Sequence, residues 1–221
     1  MAQALSLPWQ ATLSLPVAST FSASPLLMLL EQQFAKLHLE LSVKAKNGLD
    51  FILAASIVWA AIVFVWTLPN PPGLNGFITF FVGAVVLPLA WLFSKLLGTT
   101  WTIAHNPLQP LGLWLNFAQL LYFPILLFMY SKHPAQFIMT YGIITGAHFF
   151  PYAWFYKAKP YAVMAGIIAV GCLLLGLHTS ETNLYLLPVF VACALVLLSG
   201  LLYVSYRQNK QEYLLLPAQS E

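Results

Sequence analysis

The stretch GLDFILAASIVWAAIVFVWTL, residues 48–68, is the first of six long apolar runs, and these runs decide the fold. The others cover residues 77–97, 111–130, 136–156, 160–178 and 183–206. Each run is close to the ~20 residues that an α-helix needs to cross a hydrocarbon core about 30 Å thick. The sequence therefore predicts an all-α, polytopic integral membrane protein, built as a bundle of six transmembrane helices.

The composition supports a lipid-facing surface. Of the 221 residues, 60% are hydrophobic and 7% are charged, whereas a soluble domain carries roughly 25% charged residues. The length suits one compact bundle without a second soluble domain. Nucleic-acid binding is disfavoured because the basic residues are scattered and form no patch.

The basic residues also predict the orientation. If all six runs span the bilayer, eight of the nine Lys and Arg residues fall on one side and Lys132 falls on the other. Basic residues stay in the cytoplasm because they resist translocation. We therefore expect a bacterial cytoplasmic (inner) membrane protein with both termini in the cytoplasm. The eight residues are Lys36, Lys44, Lys46, Lys95, Lys157, Lys159, Arg207 and Lys210.

The segments outside the spans divide into three parts. Residues 1–27 contain no charged side chain and are either a disordered tail or an extension upstream of an internal start at Met28. Residues 28–46 predict an amphipathic cytoplasmic helix in the membrane interface, with a strand as the weaker option. Residues 48–206 form the transmembrane domain, and 207–221 a cytoplasmic tail.

Polar side chains inside spans are costly, so their positions carry information about function. The fourth run has one polar stripe at helical spacing, and a Gly142/Gly146 pair on a different face where a neighbouring helix or a second copy of the chain can approach closely. The polar stripe consists of Tyr141, Thr145, His148 and Tyr152.

The second and third runs place polar or aromatic side chains at the depth of His148. At about 1.5 Å per residue, Trp91, Asn116, Gln119 and His148 lie roughly 7–12 Å below the inner boundary. The outer halves of these helices are nearly free of strong polar groups. The sequence therefore predicts a cytoplasm-facing polar pocket, with Asp50, Lys95 and Lys157 on its rim.

Each candidate also has a structural interpretation. His148 either contacts a ligand or a proton, or it bonds Asn116 or Gln119 and locks the bundle. Lys95 and Lys157 suit the ends of spans, where their ammonium groups reach water. Asp50 is either a favourable charge at a helix N-terminus or a partner for Lys95.

Several classes of chemistry have no signature in the chain. There is no zinc-ligand spacing, no GxSxG and no P-loop, so we assign no catalytic residue, no metal and no cofactor. One function is binding or transport of a small solute or lipid. The alternatives are a membrane enzyme acting on a lipid or isoprenoid, with His148 as acid or base, and a structural or assembly partner.

Four segments carry a family resemblance: PLAWLFSKLLG (88–98), HNPLQPLG (105–112), LNFAQLLYF (115–123) and YGIITGAHFFPYAWFYKAKPY (141–161). Together they resemble a family of small bacterial polytopic membrane proteins of unknown function, over about residues 41–206. The resemblance implies a fold that agrees with six spans. It implies no activity.

Overall fold

A computed structural model describes residues 25–216, which are helical with no β-strand in that range. This confirms the all-α class. The predicted N-terminal extension, up to residue 24, lies outside the described residues. The helices are α1 Pro25–Lys44, α2 Leu49–Thr67, α3 Pro72–Ala84, α4 Val86–Leu97, α5 Gln109–Leu120, α6 Phe123–Lys132, α7 Phe137–Phe155, α8 Pro160–His178 and α9 Leu186–Leu215.

Five segments within residues 25–216 are long and apolar enough to cross a membrane: Lys46–Thr67, Pro72–Leu97, Gln109–Lys132, Pro160–His178 and Glu181–Leu215. They correspond to five of the six predicted runs. The remaining run forms α7. Its polar stripe and its Pro151 make it less apolar than the others.

Two of the five segments are broken near their middle. The second divides into α3 and α4 around Val85, and the third into α5 and α6 around Leu121. Pro88 and Pro124 explain both breaks, because a proline has no N–H for the carbonyl four residues earlier and its ring clashes with that carbonyl.

The N-terminal helix differs from its prediction in its bounds and in its surfaces. It begins at Pro25, and its first turns expose large apolar side chains at consecutive positions, from Leu26 to Leu30. In its second half the residues from His38 to Ser42 are buried, where α1 packs against α9 and α7. Its location in a membrane interface stays a prediction.

The junction between α1 and α2 is a tight left-handed turn. Lys46, Asn47 and Gly48 have φ values of 47°, 57° and 69°, and Asn and Gly adopt this region more readily than other residues. The buried Asn47 side chain accepts a 2.6 Å hydrogen bond from Ser42 Oγ and donates a 3.3 Å bond to the Leu202 carbonyl. These bonds attach the junction to α1 and α9.

Within the predicted C-terminal tail, residues 207–215 are helical, because α9 continues to Leu215. Two contacts hold this extension. Asn209 Nδ2 donates 3.2 Å hydrogen bonds to the carbonyls of Tyr156 and Lys157, and the Glu212 carboxylate pairs with the Lys157 ammonium.

Within residues 25–216, the most extensive contact between two helices is the one between α7 and α8. Both Gly142 and Gly146 are buried against α8. A Cβ atom at Gly146 would lie 2.7 Å from the Ala169 backbone nitrogen, and one at Gly142 would lie 2.6 Å from Cys172 Sγ. The glycine face is therefore occupied within the chain, and a second copy would have to use a different face.

We expect Gly146→Ala to lower the stability of the bundle by about 1–3 kcal/mol, the usual cost of an added methyl group in a packed interior. The measurement is the midpoint of thermal unfolding of the purified protein in detergent. Gly166→Ala is the matched control on α8, because nothing lies within 4 Å of its Cβ position. Equal midpoints for the two variants would contradict the close contact.

Candidate functional site

Three of the predicted site residues meet between α5 and α7. The Tyr152 hydroxyl donates a 3.0 Å hydrogen bond to Asn116 Oδ1, and it lies 3.4 Å from His148 Nε2. We call these three residues the polar triad. The two helices come together because Gly112 leaves room for Phe155, whose ring would lie 2.8 Å from a Cβ atom at Gly112.

The contacts of the Tyr152 hydroxyl favour one tautomer of a neutral His148 ring. The Tyr152 hydroxyl has one hydrogen, which Asn116 Oδ1 accepts, so the contact with His148 requires Nε2–H to donate to the Tyr152 oxygen. Nδ1 of the neutral ring is then an acceptor. His148 Nδ1 makes no hydrogen bond. Within residues 25–216 every fully buried side-chain polar atom has a partner, so this nitrogen is not fully buried.

The surroundings of the polar triad are apolar. Asn116 is exposed and His148 is half-buried. The neighbouring side chains on the same helices include Leu113 and Phe117 on α5 and Phe150 on α7, all of them exposed. The triad therefore reaches the lateral apolar surface of the bundle.

Four other candidates do not join the polar triad. Gln119 is half-buried one turn along α5 and makes no side-chain hydrogen bond within residues 25–216. Trp91 is exposed, with the Lys95 ammonium 5.6 Å from its ring. The Tyr141 ring packs 5.1 Å from a Trp ring of α2, and Thr145 Oγ1 donates a 2.9 Å bond to the Tyr141 carbonyl.

The rim residues make contacts that the sequence does not specify. Asp50 is buried, and its carboxylate accepts a 2.6 Å hydrogen bond from Thr99 Oγ1 and a 2.7 Å bond from Trp101 Nε1. Its side-chain partners are thus in the loop 98–108, the Phe51 N–H donates a further 3.0 Å bond to Oδ1, and Lys95 is not among the partners. Lys157 forms an ion pair with Glu212 of α9.

A second carboxylate, which sequence reasoning missed, holds the same loop. Glu40 of α1 accepts hydrogen bonds from Lys44 Nζ (2.7 Å), His105 Nε2 (2.6 Å) and Asn106 Nδ2 (2.9 Å). We call Glu40, Asp50 and the loop 98–108 the acidic clamp. In the sequence, Glu40 is one of several charges on α1, and its partners in the loop lie more than 60 residues away.

The environment of Glu40 determines its ionisation. Burial by itself would raise the pKa of this carboxyl, but the hydrogen bonds from Lys44, His105 and Asn106 outweigh burial and hold the pKa below its ordinary value of 4.5. Glu40 is therefore ionised at neutral pH. Within residues 25–216, no three His, Cys, Asp or Glu side chains form a candidate metal centre.

A family model matches most of this helical region. The model, described as a family of unknown function (DUF7010), covers residues 34–205. The chain belongs to this family. The predicted membership of a family of unknown function is thus confirmed, and it supplies no activity. No curated protein and no solved structure matches the chain.

We expect Glu40→Gln to release the loop 98–108 at neutral pH, because a neutral amide in place of the carboxylate would lose the charged bonds from Lys44 and His105. In the unchanged chain the folded pKa lies below 4.5, so the stabilisation by Glu40 is complete above pH 4.5 and is lost as the pH falls through the folded pKa. Hydrogen exchange of residues 99–108, compared between the two proteins at each pH, measures both effects.

The matched control for Glu40→Gln is Glu31→Gln, an exposed position on the same helix. The control should exchange like the unchanged chain at every pH. The acidic clamp would be refuted if the Glu40 variant showed unchanged protection of the loop at pH 7.

Proposed function

We propose that the chain is a bacterial inner-membrane protein with six spans and both termini in the cytoplasm, and that it binds an amphiphilic alcohol at the polar triad. An amphiphilic alcohol here is a molecule with a long apolar chain and a hydroxyl group. The observation that carries the proposal is the free Nδ1 acceptor of His148 on an otherwise apolar lateral surface.

The path of α7 supports the sixth span. Along its length α7 runs antiparallel to α8: Gly142 lies opposite Cys172, Gly146 opposite Ala169, and Met139 opposite Gly176. Helix α8 is one of the five segments that are apolar and long enough to cross. A helix that follows it from end to end crosses the same thickness.

The contacts of the basic side chains support the orientation. At one end of the bundle, Lys44 and Lys46 bond to Glu40 and to the Leu97 carbonyl, and Lys157 pairs with Glu212. Basic residues at one end are expected on the cytoplasmic side. The acidic clamp then closes the cytoplasmic end of the bundle, which leaves the side of α5 and α7 as the route to the polar triad.

The chemistry of the polar triad favours an alcohol. An unpaired acceptor within the hydrocarbon region lacks the hydrogen bonds that water would supply, which costs free energy. A hydroxyl group donates to such an acceptor without bringing a net charge into the membrane. The break between α5 and α6 adds support, because discontinuous helices in membrane proteins commonly line binding sites.

The test is photolabelling with a long-chain alcohol that carries a diazirine. We expect His148→Ala to reduce the labelling of α5 and α7 about tenfold, the effect of losing roughly 1.4 kcal/mol of binding free energy. His178→Ala is the control, because His178 is exposed and bonds to the Leu174 carbonyl of its own helix. The corresponding diazirine alkane, which lacks the hydroxyl, should label all three proteins equally.

Two outcomes would count against an alcohol site. Equal alcohol labelling of the His148 and His178 variants would remove His148 from the site. If in addition Tyr152→Phe lowered the unfolding midpoint, the polar triad would be a lock between α5 and α7.

The orientation has a separate test in intact cells. In a chain with Cys172 and Cys193 replaced by Ala, Lys132→Cys should react with a membrane-impermeant maleimide. Lys159→Cys, also exposed, should react only after the cells are lysed. The reverse pattern would place the termini outside and would leave the alcohol site untouched.

A further inference from the structure

A pocket of about 420 Å³ lies at the end of the bundle opposite the acidic clamp. It is bordered by the connection from α2 to α3 and by the connection from α8 to α9, and its lining includes Trp66, Asn70, Asn75, Glu181 and Tyr185. The volume is within the usual range for small-molecule sites. None of the lining residues belongs to the polar triad.

The charge of the pocket is negative. Among its lining residues, Glu181 is the one ionised side chain, and within residues 25–216 its carboxylate has no ion pair and no hydrogen-bond partner. Pro69 and Pro72 in the lining have no N–H, so neither residue can donate a backbone hydrogen bond to an anion. The unpaired carboxylate and the missing proline N–H groups therefore suit a cation with N–H donors.

Two amides give the pocket a more specific pattern. Asn75 is 3% exposed, and its Oδ1 accepts a 3.2 Å bond from Asn70 Nδ2. The other polar atoms of the pair, Asn75 Nδ2 and Asn70 Oδ1, have no partner and are not fully buried. If both amides were flipped, the pair would still present one free N–H group and one free oxygen.

The floor of the pocket is fixed by a chain of hydrogen bonds. Trp66 Nε1 donates to Thr79 Oγ1 at 3.0 Å, and Thr79 Oγ1 donates to the Asn75 carbonyl at 2.7 Å. Both Thr79 and Asn75 are buried. The backbone of Asn75 is thus held in place, and its side-chain amide is held by the bond from Asn70, before any ligand arrives, which lowers the ordering cost of binding.

We infer that this pocket binds a small organic ammonium ion that carries an oxygen two carbons away from its nitrogen, which is the chemistry of ethanolamine. The ammonium group pairs with Glu181 and lies against the Tyr185 ring, a favourable partner for a cation. The oxygen accepts from the free amide N–H of the Asn70 and Asn75 pair. Free ethanolamine and the headgroup of a phosphatidylethanolamine share this chemistry.

The experiment is calorimetric titration of ethanolamine into the full chain in nanodiscs of phosphatidylcholine, whose headgroup has no N–H. We expect saturable binding that weakens at least tenfold in Glu181→Gln, with no binding of the uncharged analogue ethylene glycol. Glu31→Gln, an exposed carboxylate on α1 at the other end, should bind as the unchanged chain does.

The proposal is overturned if ethanolamine does not bind, if Glu181→Gln binds it as well as the unchanged chain does, or if ethylene glycol binds equally. Equal unfolding midpoints will show that the variants are folded. Nanodiscs that contain phosphatidylethanolamine distinguish the lipid headgroup from free ethanolamine as the natural ligand. A lower apparent affinity for free ethanolamine there identifies the lipid headgroup as the ligand, and an unchanged affinity identifies the free amine.

Discussion

The arrangement of the bundle depends on the contact of two glycines with α8. Gly142 and Gly146 carry no side chain, so α7 can approach α8 to a distance that a Cβ atom would prevent. This contact fixes the rotation of α7 about its axis. Once the glycine face is against α8, His148 and Tyr152 are turned toward α5, where Tyr152 meets Asn116. The helix that carries the polar stripe is thus held against α8 by its smallest residues.

The sequence predicts the helices well because hydrophobic length and helical spacing are local properties. It also predicts that Asn116 and His148 lie at a similar depth and that Tyr152 shares the polar stripe with His148. The sequence does not distinguish these three residues from Tyr141 and Thr145, because the polar stripe on α7 is longer than the part of α7 that contacts α5. The sequence also does not predict the hydrogen bonds that Glu40 accepts from His105 and Asn106, since no periodicity links residues so far apart.

The two ends of the bundle differ in whether their carboxylates have bonding partners. At one end Glu40 and Asp50 are buried, and each is neutralised or hydrogen-bonded by side chains that hold a loop in place. At the other end Glu181 is exposed and unpaired beside a pocket. A buried carboxylate with several donors fixes structure. An unpaired carboxylate beside ready-made amide groups is free to bind a partner from solution.

The left-handed turn between α1 and α2 has a consequence for the chemical ageing of the protein. An Asn followed by Gly loses ammonia spontaneously when the glycine nitrogen attacks the asparagine side-chain carbon. In the folded chain, Asn47 is held by Ser42 and Leu202, and the Gly48 nitrogen donates a 2.9 Å bond to the Ala45 carbonyl. The folded state therefore protects this pair. An unfolded chain lacks these bonds, so the same pair is open to the reaction before the turn forms.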